Sequence, residues 1–294
     1  MADQHHETNP ALTNNIADDI PNILECQKYH WDILQMLIGV HATTLASISP
    51  PGPQRSQFLW KDGDEIYIEP GVYFHDGTTR QSVFWDAQIT FQLQSGGSNA
   101  ASDDYGADGW HYIYIDDSAV VTQASPELDA DCFLNDMTAP TWSDAKHGWY
   151  NGSDRCIFAV YETGGAILEF FHDGGDLVVF ADLRSEFGLA DIPDAFTDVD
   201  IATSVPGFST KARASFYMDA AGDTNGSLWR WRVNGQTGTS GHTVGYTLSG
   251  ESEHNVTVAD VFTDSSQIFE HKSVTAGSHE GLISVSGWYF PTGM

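Results

Sequence analysis

Basic side chains are scarce in this sequence: 12 Lys and Arg stand against 41 Asp and Glu, a formal charge of −29. A field of that sign repels phosphate backbones and anionic headgroups, so no nucleic-acid partner is expected. Long apolar runs are missing too. None approaches the ~20 residues of a membrane-spanning helix, and Met1 to Pro10 has no basic stretch followed by an apolar one. Neither membrane insertion nor an export signal is therefore expected. Cysteine is rare: Cys26, Cys132 and Cys156 are odd in number and have no C-x-x-C spacing. They read as reduced, mostly buried thiols, with a Cys132–Cys156 bridge as the alternative.

Catalytic signatures are also lacking. No G-x-S-x-G elbow, H-E-x-x-H helix, Walker loop or G-x-G-x-x-G after a strand occurs, so the common hydrolase, metalloprotease, NTPase and dinucleotide-binding classes have no anchor here. The 12 histidines show no structural-zinc spacing. Carboxylate pairs such as Asp103/Asp104, Asp116/Asp117 and Asp198/Asp200 lie in loop-like segments, where solvated turns explain them. Asp62-Gly63-Asp64-Glu65 resembles a fragment of a calcium loop without its 12-residue spacing, and reads as a β-turn. No catalytic residue and no cofactor is expected; the metal question stays open.

What the chain has is 294 residues with 41% hydrophobic content, 12% aromatics and 28 glycines. That is enough for two ordinary domains, and the mix suits short strands and tight turns. The acids are interspersed with Trp, Phe, Ile and Val, so the charge belongs to a folded surface.

Residues 1–15 are polar and aperiodic and read as a flexible arm. A helix is predicted within 16–50: Asp18 or Asp19 can cap it, Pro21 suits its first turn, and Ser49-Pro50-Pro51-Gly52-Pro53 ends it. Its seam alternates in steps of three and four, with Leu24, Trp31, Ile38 and Leu45 in one layer and Ile20, Gln27, Leu34 and His41 in the other. The alternative is one amphipathic helix packed on its own domain. Two polar layers favour an oligomerising coiled coil, because polar core positions fix register and strand number. On a three-fold axis His41 would bring three imidazoles together, as a metal or anion site or as hydrogen-bonded core histidines.

From Phe58 onward the pattern turns to period two. Strands are predicted at 65–68, 83–85, 89–93, 110–115, 154–161, 167–171 and 177–180, with turns at Asp62-Gly63, Asp76-Gly77, Gly96-Gly97 and Asp116-Asp117. Residues 185–206 carry five acids, two prolines and weaker β patterning, which suggests a boundary. Further strands follow at 212–218, 228–233, 244–248, 255–258, 266–271 and 282–290. The predicted fold is mainly β: an N-terminal coiled-coil helix, then two β-sandwich or jelly-roll-like domains at 54–185 and 206–294. Trp229-Arg230-Trp231-Arg232 puts both tryptophans on one strand face, either in the core or exposed to stack on sugar rings. Tyr246, His254 and His279 are further candidates for exposed loop tips. The repeated Phe74-His75-Asp76-Gly77 and Phe171-His172-Asp173-Gly174 reads as two similar hairpin turns.

Gly109-Trp110-His111-Tyr112-Ile113-Tyr114-Ile115-Asp116, then Ala139-Pro140-Thr141-Trp142, Gly148-Trp149-Tyr150 and Asp154-Arg155-Cys156-Ile157-Phe158-Ala159, resembles a segment of bacteriophage tail-fibre and virion-spike proteins. Those have an aromatic strand, a Pro-containing loop and an "R-x-I-x" strand. The ending with Gly287-Trp288-Tyr289-Phe290 is similar to the closing strand of a fibre knob. The resemblance implies a homotrimeric virion appendage, made in a host cytoplasm, attached to other virion proteins by its N-terminal region and contacting a host surface glycan with its distal domain. No fibrous shaft is present, so a short spike or adaptor is implied. The alternatives are a secreted carbohydrate-binding module and a glycan hydrolase.

Overall fold

The structure is a computed structural model, described here for residues 56–93, 106–123, 125–219, 227–246, 254–274 and 279–294. The predicted arm and helix, including Ile20, Leu24, Gln27, Trp31, Leu34, Ile38, His41 and Leu45, lie outside the described residues, as does the Gly96-Gly97 turn. What is described is mainly β, as the alternating sequence requires.

The first half holds a three-stranded antiparallel sheet of β1 (Phe58–Trp60), β2 (Glu65–Ile68) and β5 (Ile89–Gln92), and a hairpin of β3 (Gly71–Asp76) with β4 (Arg80–Trp85). A second sheet is built on β6 (Gly109–Ile115) and β10 (Asp154–Thr163), flanked by β7 (Phe133–Asp136), β8 (Thr141–Ser143), β9 (Gly148–Asn151) and the two-residue β11 (Ala166–Ile167). The aromatic strand β6 and the arginine strand β10 are thus direct antiparallel partners, Arg155 facing Ile115 and Tyr161 facing Trp110. Asp116 and Asp117 form no turn. Asp116 caps a short helix, α1 (Asp117–Thr122), accepting from the Ser118 N–H at 2.8 Å.

The second half is a sandwich of two antiparallel sheets. One runs β12 (Phe170–His172), β13 (Leu177–Asp191), β20 (Glu280–Tyr289), β15 (Lys211–Asp219), β18 (His254–Phe262); the other runs β14 (Thr197–Asp200), β19 (Ile268–Ser273), β16 (Leu228–Val233), β17 (His242–Tyr246). Phe216 from the first sheet meets Trp229 edge-on at 5.2 Å and Phe269 at 6.2 Å from the second, which fixes the packed interior.

The expected boundary segment, 185–206, begins within β13, includes β14 and ends before β15, so strands on its two sides share sheets. β13 continues well past Phe180, because bulges between Val179 and Arg184 and again at Ser185/Phe187 shift its register on β20 and break the alternation that marks a strand. β20 then carries β13 on one edge and β15 on the other. A single buried apolar cluster runs from Phe58 to Met294. Trp288 joins the halves within it, meeting Trp110 at 6.1 Å and Phe158 at 5.9 Å. Gly287 has a reason to be glycine: a Cβ there would sit 2.2 Å from the Val178 carbonyl oxygen.

Candidate interaction surfaces and buried polar sites

The two Phe-His-Asp-Gly repeats end β3 and β12, each at a hairpin, with the phenylalanine outward and the histidine buried. His172 takes the Phe58 N–H on Nδ1 at 3.1 Å and lies 3.0 Å from the Gly175 carbonyl through Nε2, tying β12 to β1. His75 places Nε2 2.9 Å from Asp117 Oδ1. Asp117 also accepts from the Thr78 N–H at 2.8 Å and hydroxyl at 2.6 Å. Burial raises the Asp117 pKa, but the Thr78 and His75 hydrogen bonds outweigh it and hold the carboxyl below its usual range. A hydroxyl, an imidazole and a carboxylate are therefore together. The order is wrong for nucleophilic catalysis, since the hydroxyl bonds the carboxylate and not the imidazole.

His111 and Glu162 form the second buried pair, Nε2 to Oε2 at 3.0 Å with both side chains fully buried. Glu162 accepts the Gly106 N–H at 2.8 Å, while His111 lies 3.1 Å from the Ala107 carbonyl and 3.2 Å from the Asn135 amide. Burial raises the carboxyl's pKa, partly offset by His111 and Gly106. Arg155, also buried, reaches the Phe74 carbonyl, the Tyr150 hydroxyl and the Gly293 carbonyl, locking the chain end onto the second sheet. His75, Asp117, His111, Glu162 and Arg155 join segments of backbone and border neither of the two grooves described below, whereas His172 borders one.

Cys132 and Cys156 are free and buried. Burial pushes the Cys132 thiol up to about 11 and raises Cys156 well above its ordinary value, so neither presents a thiolate near neutrality. Asp62, Asp64 and Glu65 bring carboxylate oxygens within 4.8 Å of one another. Asp62 already accepts the Asp64 and Glu65 N–H groups, and Glu65 pairs with Lys61. The turn read from the sequence accounts for the cluster.

Of the suggested sugar-stacking residues, Trp229 and Trp231 are in the core with Arg230 and Arg232 on the other face, and Arg232 grips Glu270 at 2.6 and 3.0 Å. His279 is buried as well, against expectation; Tyr246 and His254 are exposed. Sequence reasoning missed two surface features. One is a groove of about 440 Å³ lined by Leu59, Trp60, Phe171, Leu177 and Val179, with Glu169, Asp173 and Gln57 at its polar positions. Phe171, 60% exposed, is its prominent ring. A second depression of about 310 Å³, with Arg184, Glu186 and Thr203, shares Glu169 with it. The other feature is the outer face of β15 and β18, where Val256, Val258 and Phe262 stand in solvent.

No protein-family model matches the chain, and no curated protein matches it.

His271 provides a test of the sandwich interior. It is buried and accepts the Trp229 indole N–H on Nδ1 at 3.2 Å, and burial pushes its pKa down to about 4. The unfolded imidazole, near 6.5, takes a proton first, so stability is intact above about pH 6.5 and falls as pH drops towards about 4. The loss at pH 4 is about 3 kcal/mol. Asparagine offers an acceptor oxygen in nearly the same place but does not titrate. In urea unfolding, the advantage of wild type over H271N should shrink by that amount between pH 7 and pH 4; parallel stability curves would contradict the assignment.

Proposed function

We propose that this protein is a non-catalytic structural component of a virion appendage: a homotrimeric spike, fibre or adaptor attached through its N-terminal region. One observation carries the non-catalytic part: the close titratable sets His75–Asp117 and His111–Glu162 are buried and consumed in holding backbone segments together. Carboxylates do line the two grooves, and in the second depression Thr203 donates to Glu186 at 3.2 Å, but no imidazole lines that depression. The virion assignment is supported by the tail-fibre resemblance, whose aromatic and arginine segments are adjacent strands here. Trimer formation is supported by the seam Ile20, Leu24, Gln27, Trp31, Leu34, Ile38, His41 and Leu45, whose apolar members need partners to leave water.

The groove beside Phe171 favours one added property, contact with a host surface glycan. Its aromatic and aliphatic walls suit the apolar faces of sugar rings, and Glu169 and Asp173 offer acceptors for hydroxyl groups. Purified full-length chain incubated with isolated host envelope glycans should then retain them and release no sugar. Sugar release abolished by one Asp or Glu substitution would establish a hydrolase and end the structural reading.

A further inference from the structure

β18 is built inside out for the edge of a solvated sheet. Its inward residues are Asn255, Thr257, Ala259 and Val261, placed opposite Met218, Phe216, Ala214 and Ala212 of the core face of β15. Its outward residues are His254, Val256, Val258, Asp260 and Phe262, of which Val256 is 62%, Val258 59% and Phe262 50% exposed. A strand with one wet face normally carries its large apolar side chains inward. Here two of the four inward positions are polar, and three of the five outward ones are large and apolar. The neighbouring register continues the patch, because Tyr217 lies opposite Val256 and Leu282 opposite Tyr217.

Charge identifies what can cover this face. Over most of a chain with charge −29, a second copy is repelled. Between Val258 and Phe262 the acid is Asp260, with Oδ2 2.9 Å from Lys211 Nζ and Oδ1 3.7 Å from Arg213 Nε and 2.7 Å from the Tyr289 hydroxyl. Two of the chain's 12 basic side chains are thus spent on this face and offset Asp260 at its Phe262 end, while Asp219 and Glu280 stand at the other end beside His254, so the face is far less acidic than the chain as a whole. β18 also ends its sheet, pairing among the described residues with β15 alone, over nine residues that include neither Pro nor Lys. Natural edges are usually blunted by such residues unless something covers them.

We infer that the outer face of β15 and β18 is a contact between copies of this chain, with Val256 and Val258 near the symmetry axis. The inference rests on the homo-oligomeric reading above and deepens it. Three strands over nine residues make a face on the order of 400–500 Å², below the ~800 Å² per partner of a stable interface. The contact therefore works together with the N-terminal seam, which raises the local concentration of one face about another.

The test uses the full chain. Val258→Cys should give a covalent dimer under mild oxidation about tenfold or more faster than wild type or Val121→Cys, whose exposed position is on α1. In a trimer one disulfide joins two chains, so about two-thirds of the chains should become covalent dimer at completion. Light scattering on the same sample separates the two ideas. A multimer in which the Val258→Cys variant cross-links no faster than the Val121→Cys variant overturns this contact and leaves the homo-oligomer standing; a monomer overturns both. V256D/V258D provides a second reading, with an expected loss of about tenfold or more in association and a retained β-sheet circular dichroism spectrum, since both side chains point away from the core. Unchanged association in that variant would also overturn the contact.

Discussion

Replacing His111 by alanine should cost about 1–3 kcal/mol, the range for leaving a buried polar group without its partner. Glu162 would be left fully buried with the Gly106 N–H as its remaining donor among the bonds described, and it would have to take up a proton or draw in water. The Asn135 amide would lose its bond to the imidazole in the same step. H111L/E162M, which removes both ionisable groups and keeps the volume, should cost clearly less than the two single changes added together. Chemical denaturation of the four proteins measures this directly. Additive single and double effects would mean that the pair does not act as a unit.

A fragment of residues 206–294 should fail to fold, although it contains six strands. β20 would lose β13 from one edge, and Trp288 would lose its packing on Trp110 and Phe158. β19 would lose β14 at the same time. A chain starting at Gln54, by contrast, keeps every strand of the buried cluster and should stay soluble and β-rich by circular dichroism. Cooperative unfolding of the 206–294 fragment would support the division placed near 185–206 and show that the shared sheet is dispensable.

Much of the β pattern is legible because alternation is local. Leu228-Trp229-Arg230-Trp231-Arg232 declares two faces by itself, and the tryptophans face the core as their size favours. The hairpins after Asp76 and Asp173 follow from turn residues alone. β13 is different: its bulges insert residues that destroy the period of two, so a strand of 15 residues reads as one of four followed by an acidic linker. β18 shows another limit. Its sequence alternates clearly, but alternation does not say which face is inside; pairing with β15 decides that, and the decision goes against hydrophobicity. The buried His75, His111 and Glu162 could not be singled out either, since their partners lie 42 and 51 residues away along the chain. Asp116 and Asp117 have turn chemistry that serves equally as a helix start, and the capping bond to Ser118 selects the helix.

On this reading the chain is a self-assembling structural protein whose working form contains several copies. Multi-angle light scattering of the full-length chain, at micromolar concentration and physiological salt, weighs that form without any modification of the protein. The mass expected is roughly three times the 32.2 kDa of one chain. A mass of one chain, unchanged as the concentration is raised, would be incompatible with self-assembly.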